Sequence, residues 1–255
     1  MNVPNDVLRP PLGNPDSLFS QVAEHIALLI VSGSVAVGDL IPNETTISGP
    51  LSVSRSVYRE AVKFLSAKGL VESRPKSGTR AAPATAWNLL DPDVLRWTFQ
   101  AGASDQFIRD LYELRIMIEP GAARMAAERR TPAQAAAIRD AYETMASTEP
   151  YSTENIRADV LFHDLLLDAC GNGAFRCLRS VVMTTLMWSL ALQKGTPRQD
   201  YAPALGDHAR VCQAIETQDG ARAEAVMRLL VHDALDDTLR RFRRRADAAK
   251  RAAAE

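Results

Sequence analysis

The run Val53-Ser54-Arg55-Ser56-Val57-Tyr58-Arg59-Glu60-Ala61-Val62-Lys63-Phe64-Leu65 carries two signals at once. Val57, Ala61, Val62, Phe64 and Leu65 recur at helical spacing, and Ser54 stands where an N-cap accepts a free backbone N–H. Gly69 follows as a stop signal. Arg55 and Arg59 lie four residues apart on one face, while the apolar positions turn toward a core. The reading is an amphipathic helix with a cationic N-terminal end.

Working outward, Leu18, Val22, Ile26, Leu29 and Ile30 mark an earlier helix, capped by Asp16 or Ser17 and ended by Gly33. A turn at Gly38, then Pro42, precedes a short helical stretch from about Glu44. Downstream, Leu70 to Ser73 and Thr79 to Ala81 flank Arg74-Pro75-Lys76-Ser77-Gly78, the pattern of a hairpin with a basic tip. Helix, short helix, helix and hairpin together predict a winged helix-turn-helix over residues 1–82. Residues 83–103 read as a linker and connecting helix, opened by Ala81-Ala82-Pro83-Ala84-Thr85; Asp91 caps that helix and Pro92 holds its first position. Residues 104–245 read as an all-α bundle of six or seven helices, broken at turn signals such as Thr131-Pro132, Gly171 to Gly173 and Asp219-Gly220. Pro120 is expected to kink or divide its helix. The fold class is mainly α.

Of 255 residues, 46% are hydrophobic and 24% charged, a balance that supports a buried core rather than disorder. The net charge of −1 excludes nucleic-acid binding over the whole surface, yet residues 51–80 hold seven Lys or Arg against two acids. Phosphate binding needs such a local cluster, whatever the total. No apolar window is long enough to span a membrane, and the N-terminus has no basic region followed by an apolar stretch, so a cytoplasmic location is expected. Cys170, Cys177 and Cys212 have no CxxC spacing and are expected to be buried free thiols.

In a helix-turn-helix the second helix enters the major groove by its N-terminal end, where arginine holds guanine O6 and N7 or grips phosphate. Residues 18–82 resemble the DNA-binding domain of the GntR family: Ile41-Pro42-Asn43-Glu44, then Val53 to Val62, then Gly69-Leu70-Val71 and Ser77-Gly78-Thr79. The resemblance implies that Arg55 and Arg59 contact DNA, that Ser56 touches phosphate or base, and that Gly78 lets the wing approach the minor groove. It also implies a homodimer on a pseudo-palindromic operator. Two departures stand out: Thr45 replaces a frequent arginine, and Gly49-Pro50 interrupts the short helix.

Asp159 and His163 are four apart on one predicted helix, while His208 and His232 fall on two later ones. Three imidazoles and a carboxylate from three helices are able to surround a divalent cation, although a helical pair and two unrelated histidines fit the same spacing. Residues 104–242 are similar to the FCD effector domain of the FadR subfamily, and this resemblance implies a metal site at Asp159, His163, His208 and His232. Zinc, nickel and manganese suit such donors alike. The same resemblance implies that Arg115 holds a carboxylate effector and that Asn172 lies near it; an Arg115–Glu119 helical pair and a helix cap are the plainer readings. The segment Trp87 to Trp97 is similar to one in regulators of sugar-acid catabolism, so a hexonate is the expected effector and a repressor the expected role. A metal-dependent enzyme acting on a small organic acid is the rival function, but no additional His or Cys is placed as a general base.

Overall fold

A computed structural model describes residues 17–51, 53–74, 77–195 and 197–252. The chain divides into two compact units at Ala103/Ser104. The fold is mainly α, as expected, and no described helix is long and apolar enough to cross a membrane.

The first unit holds α1 (Leu18–Val31), α2 (Glu44–Leu51), α3 (Arg55–Ala67), the strands β1 (Val71–Arg74) and β2 (Gly78–Ala81), and α4 (Pro92–Gly102). Ser17 caps α1 by accepting from Ser20 N, while Asp16 lies outside the described residues. Val22, Ile26 and Ile30 of α1 pack with Ala61 and Leu65 of α3 in one core. Gly69 ends α3 at φ +78, and a Cβ there would stand 2.0 Å from the Ala86 carbonyl oxygen, so the site requires glycine on two counts. Strands β1 and β2 pair antiparallel with Val71 opposite Ala81 and Arg74 opposite Gly78. Residues 38–41 add a further edge through Ile41 N to Thr79 O and Ala81 N to Asp39 O. Of the expected hairpin tip, Pro75 and Lys76 lie outside the described residues.

Asp91 caps α4 by accepting from Asp93 N at 2.9 Å and Val94 N at 3.4 Å, with Pro92 at the first position. Val94 and Trp97 belong to the same core as α1 and α3, so this connecting helix is folded into the first unit. The segment before it is strapped as well: Ala82 N donates to Leu70 O at 2.9 Å and Asn88 N to Lys68 O at 3.0 Å. The Ala/Pro composition that reads as a linker is therefore an ordered strap.

The second unit is built from α5 (Asp105–Arg129), α6 (Pro132–Ser147), α7 (Thr153–Ala169), α8 (Gly173–Cys177), α9 (Arg179–Leu192), α10 (Arg198–Glu216) and α11 (Gly220–Ala252). Ser104, Thr131 and Ser152 cap α5, α6 and α7 through their hydroxyls, and Thr131 completes a capping box with Gln134. Pro120 does not divide α5, which runs through it. Helix α5 packs along α11, α7 packs against α5 and α6, and α10 contacts both α6 and α11. Cys170 and Cys212 are buried free thiols; Cys177 is exposed, contrary to expectation, because it ends the short surface helix α8.

Candidate metal centre and nucleic-acid interface

Ser54 Oγ accepts from Val57 N at 3.3 Å and so fixes the first turn of α3. That turn presents Arg55 with its side chain 89% exposed, 3.5 Å from Glu44 Oε1, and leaves Ser56 and Arg59 exposed as well. Tyr58 Oη donates to Pro42 O at 2.9 Å, which ties α3 to the entry of α2. Asn43 Oδ1 caps α2 by accepting from Thr46 N at 3.0 Å, and the Thr45 hydroxyl donates to that same oxygen at 2.7 Å. Thr45 is thus committed to the cap. Helix α2 spans Glu44–Leu51 through Gly49 and Pro50.

Gly78 sits at φ +78, and a Cβ there would lie 2.7 Å from Leu40 Cδ2, so the wing turn itself demands glycine. The basic cluster is smaller than the sequence count. Lys68 is buried, with Nζ at 2.7 and 2.6 Å from the two Asp91 oxygens and 3.0 Å from Asp93 Oδ2. Arg80 donates to Gly38 O at 2.7 Å. Arg55, Arg59, Lys63 and Arg74 remain as the exposed described cations of this stretch, Lys63 and Arg74 beside Glu60 and Glu72.

In the second unit α7 supplies Asp159 and His163 from one face and α10 supplies His208; each is 3% exposed or less. Their ligand atoms all lie within 4.8 Å of one another. His163 Nε2 stands 3.5 Å and His208 Nε2 3.7 Å from Asp159 Oδ1. Donors about 2.1 Å from a common tetrahedral centre would be about 3.4 Å apart, so the spacing is that of ligands. Neither Asp159 Oδ1 nor His208 Nε2 has a hydrogen-bond partner, a costly state for buried polar atoms that a cation would relieve.

The surrounding contacts fix the tautomers. His208 Nδ1 meets the Ala204 carbonyl at 2.7 Å, so Nδ1 carries the proton and Nε2 presents a lone pair. His163 Nδ1 meets Glu119 Oε2, which likewise leaves its Nε2 to face Asp159. Glu119 in turn accepts from Arg115 Nε at 2.5 Å, and the guanidinium lies 4.7 Å over the Tyr112 ring. Burial pushes the Glu119 carboxyl up, but Arg115 and His163 outweigh it and hold the group down at about 2. Burial likewise pushes Asp159 up, and His208, His163 and Arg115 bring it below its ordinary value. For His208 burial pulls the imidazole down, and Asp159 raises it above the usual value in the absence of a cation.

Tyr112, Arg115, Asp159, His163 and His208 line a cavity of about 530 Å³. Arg115 forms the expected pair with Glu119 and also lines this cavity, its Nη1 buried without a hydrogen-bond partner. Two expected residues are elsewhere. His232 is exposed and outside the ligand cluster. The cavity side of α11 is set by Leu230, Asp233, Ala234, Asp237 and Arg241, and a residue two beyond Leu230 is rotated by about 200° on a helix. Asn172 caps α8, accepting from Ala174 N at 3.0 Å and Phe175 N at 3.4 Å, and does not line the cavity. Sequence reasoning also missed residues. Arg240, Arg241 and Arg244, part of a basic run whose sequence alone suits a solvated helix end, line the cavity, and Glu119 is the partner of both Arg115 and His163. Only the four-residue step from Arg115 to Glu119 signalled the last of these.

The chain is similar to known proteins over both units. Residues 18–80 match the gntR family of bacterial regulatory proteins and residues 110–233 the FCD domain. The chain is 31% identical over 196 residues to the galactonate operon transcriptional repressor of Escherichia coli K12, covering 76% of this chain and 85% of that protein. It is 30% identical to the regulator LutR of Bacillus subtilis, covering 78% and 91%. Among solved structures, Lar, which controls expression of the Listeria monocytogenes agr system, shares the fold at a TM-score of 0.62 and 14% identity, over 89% of this chain and 99% of that one.

Proposed function

The chain belongs to the gntR family of bacterial transcription regulators, with an FCD domain behind its winged helix, and from that premise we propose that it is a repressor released from operator DNA by a hydroxy-carboxylate effector. The relatives matched over most of the chain are transcription regulators, so the enzyme reading falls. Arg55, Ser56 and Arg59 read the operator from the exposed end of α3, and Gly78 shapes the wing beside the minor groove. The protein acts in the cytoplasm as a homodimer on a pseudo-palindromic site, one half-site per protomer.

One observation carries the effector reading: the unpartnered Arg115 Nη1 and the three converging ligand atoms of Asp159, His163 and His208 share a single cavity. A divalent zinc, nickel or manganese ion held there would supply coordination sites for a carboxylate oxygen and its neighbouring hydroxyl. Arg115 contributes what a guanidinium does best, a directed N–H toward the carboxylate's other oxygen, and it stays charged while buried. The charged lining of Asp233, Asp237, Arg241 and Arg244 suits a polyhydroxylated chain better than an acyl tail. Similarity to the galactonate operon repressor makes galactonate the first candidate. Fluorescence anisotropy of a labelled operator, titrated with galactonate, gluconate and two- to four-carbon hydroxy acids, tests the reading. Release by a hexonate supports it, release by short acids alone removes the hexonate, and no release by any acid removes the effector class.

A further inference from the structure

Helix α11 continues to Ala252, whereas the FCD match ends at residue 233. The added length is strongly basic. From 240 to 251, Arg240, Arg241, Arg243, Arg244, Arg245, Lys250 and Arg251 stand against Asp247 alone, in a chain whose net charge is −1. A helix dipole does not account for them, because cations profit from a C-terminus only within the last turn, and Arg240 to Arg245 lie well inside a helix that ends at Ala252. Ion pairs account for two. Arg240 reaches Asp237 and Arg243 donates to Asp105 Oδ2 at 2.6 Å, but Arg244, Arg245 and Arg251 have no ion pair among the described residues.

Helix α11 runs antiparallel along α5: Arg124 Nη1 lies 3.4 Å from Glu224 Oε2, Tyr112 Oη lies 2.8 Å from Thr238 Oγ1, and Arg243 meets Asp105, the first residue of α5. Residues 244–252 therefore run past the start of α5 by about 13 Å. This is the end of the second unit at which the chain arrives from the DNA-binding unit, through Ala103 and Ser104. Leu239 is buried and the Phe242 ring lies 6.0 Å from that of Trp188, which holds one side of α11 to the bundle. Arg244 and Arg251, about two turns apart, are exposed on the opposite side, with Arg245 flanking them. Their seven-residue step spans about 10 Å, the run of about three phosphates on one strand of a duplex. We propose that the overhanging end of α11 is a second DNA-contacting element, in which Arg244, Arg245 and Arg251 grip the phosphate backbone of the DNA that α3 reads and add affinity without sequence preference. The inference rests on the proposed role of α3.

Each phosphate neutralised releases counterions, so the logarithm of the binding constant falls with that of the salt concentration by about 0.9 per contact. Operator affinity of the full-length protein is followed by anisotropy across a salt series, without effector because Arg244 also borders the cavity. Three proteins are compared: the parent, the triple variant Arg244→Gln, Arg245→Gln and Arg251→Gln, and the same triple change to lysine. Glutamine has a helix propensity close to that of arginine, and circular dichroism checks that α11 is retained. The glutamine variant should bind about tenfold or more weakly at low salt, with a slope shallower by up to about 2.7 per bound protomer, and should show the same change of slope on a duplex of unrelated sequence. The lysine variant should keep the parent's slope. A glutamine variant with the parent's slope and affinity overturns the inference, as does a lysine variant that loses as much as the glutamine one, since charge would then not be the cause. Arg55→Ala and Arg59→Ala keep the two readings apart: if they bind like the parent while the glutamine variant still shows the shallower slope, α3 loses its role and the basic end of α11 keeps its own.

Discussion

Replacing Lys68 by methionine keeps the length of the side chain and removes its charge from a buried network. Lys68 Nζ lies 2.7 and 2.6 Å from the Asp91 oxygens and 3.0 Å from Asp93 Oδ2, and 4.3 Å over the Phe64 ring. Its side chain is 7% exposed, and those of Asp91 and Asp93 are 19% and 9%. Removing one partner of a buried ion pair strands the other, at a cost of about 3–5 kcal/mol. The lower end applies, because Asp91 keeps its two backbone donors in α4 and some water, and Arg96 Nη2 still holds Asp93 Oδ1 at 3.3 Å. We expect Lys68→Met to destabilise the first unit by about 3 kcal/mol. The assay is urea unfolding followed by tryptophan fluorescence in a Trp188→Phe background, which leaves Trp87 and Trp97 of the first unit as reporters. Asp91→Asn in the Lys68→Met background should cost less than it does in the parent, because the stranded charge is gone. A loss below about 1 kcal/mol, or strict additivity of the two changes, would refute a network that binds α4 to the DNA-binding unit.

On DNA, Arg55→Ala and Arg59→Ala should each weaken operator binding by about 1–3 kcal/mol if bidentate to guanine, read by anisotropy with circular dichroism unchanged. Parent-like binding by both variants would remove α3 as the reading helix. In the cavity, Arg115→Lys keeps the charge but loses the fork; effector response should fall while operator affinity without effector holds, and an undiminished response would show that the guanidinium is not used. Asn172→Ala should cost about 1 kcal/mol of stability through loss of the α8 cap, yet leave acid binding by calorimetry unaltered. A loss of acid binding would return Asn172 to the site.

Local signals were legible where short-range chemistry decides the outcome. Ser54 and Asp91 each stand ahead of a periodic apolar run and each caps the helix that follows. The four-residue step from Asp159 to His163 put both on one helical face before any tertiary contact was known. Features that depend on the phase or docking of distant helices were not legible. His232 has the right residue type on the right helix, but the rotation of α11 is set by packing along its length, and that turns Leu230 inward instead. Lys68 counts as a surface cation in a charge tally; only the return of residues 88–97 over the end of α3 buries it. The arginines from 240 to 244 look like a helix end suited to water because nothing local marks α11 as continuing to Ala252. Glu119 was visible as a partner of Arg115, and its second contact, to His163, required α5 and α7 to meet.

The central claim is that an acid binding beside Arg115 and the Asp159–His163–His208 cluster releases the protein from its operator. The most direct measurement is anisotropy of the protein–operator complex during a galactonate titration, run in parallel on the parent, on Arg115→Ala and on chelator-treated parent. The account predicts release in the parent, and no release in either of the others, with operator affinity before titration the same in all three. Release from the Arg115→Ala protein and the chelator-treated parent at the same galactonate concentrations as from the untreated parent would contradict it.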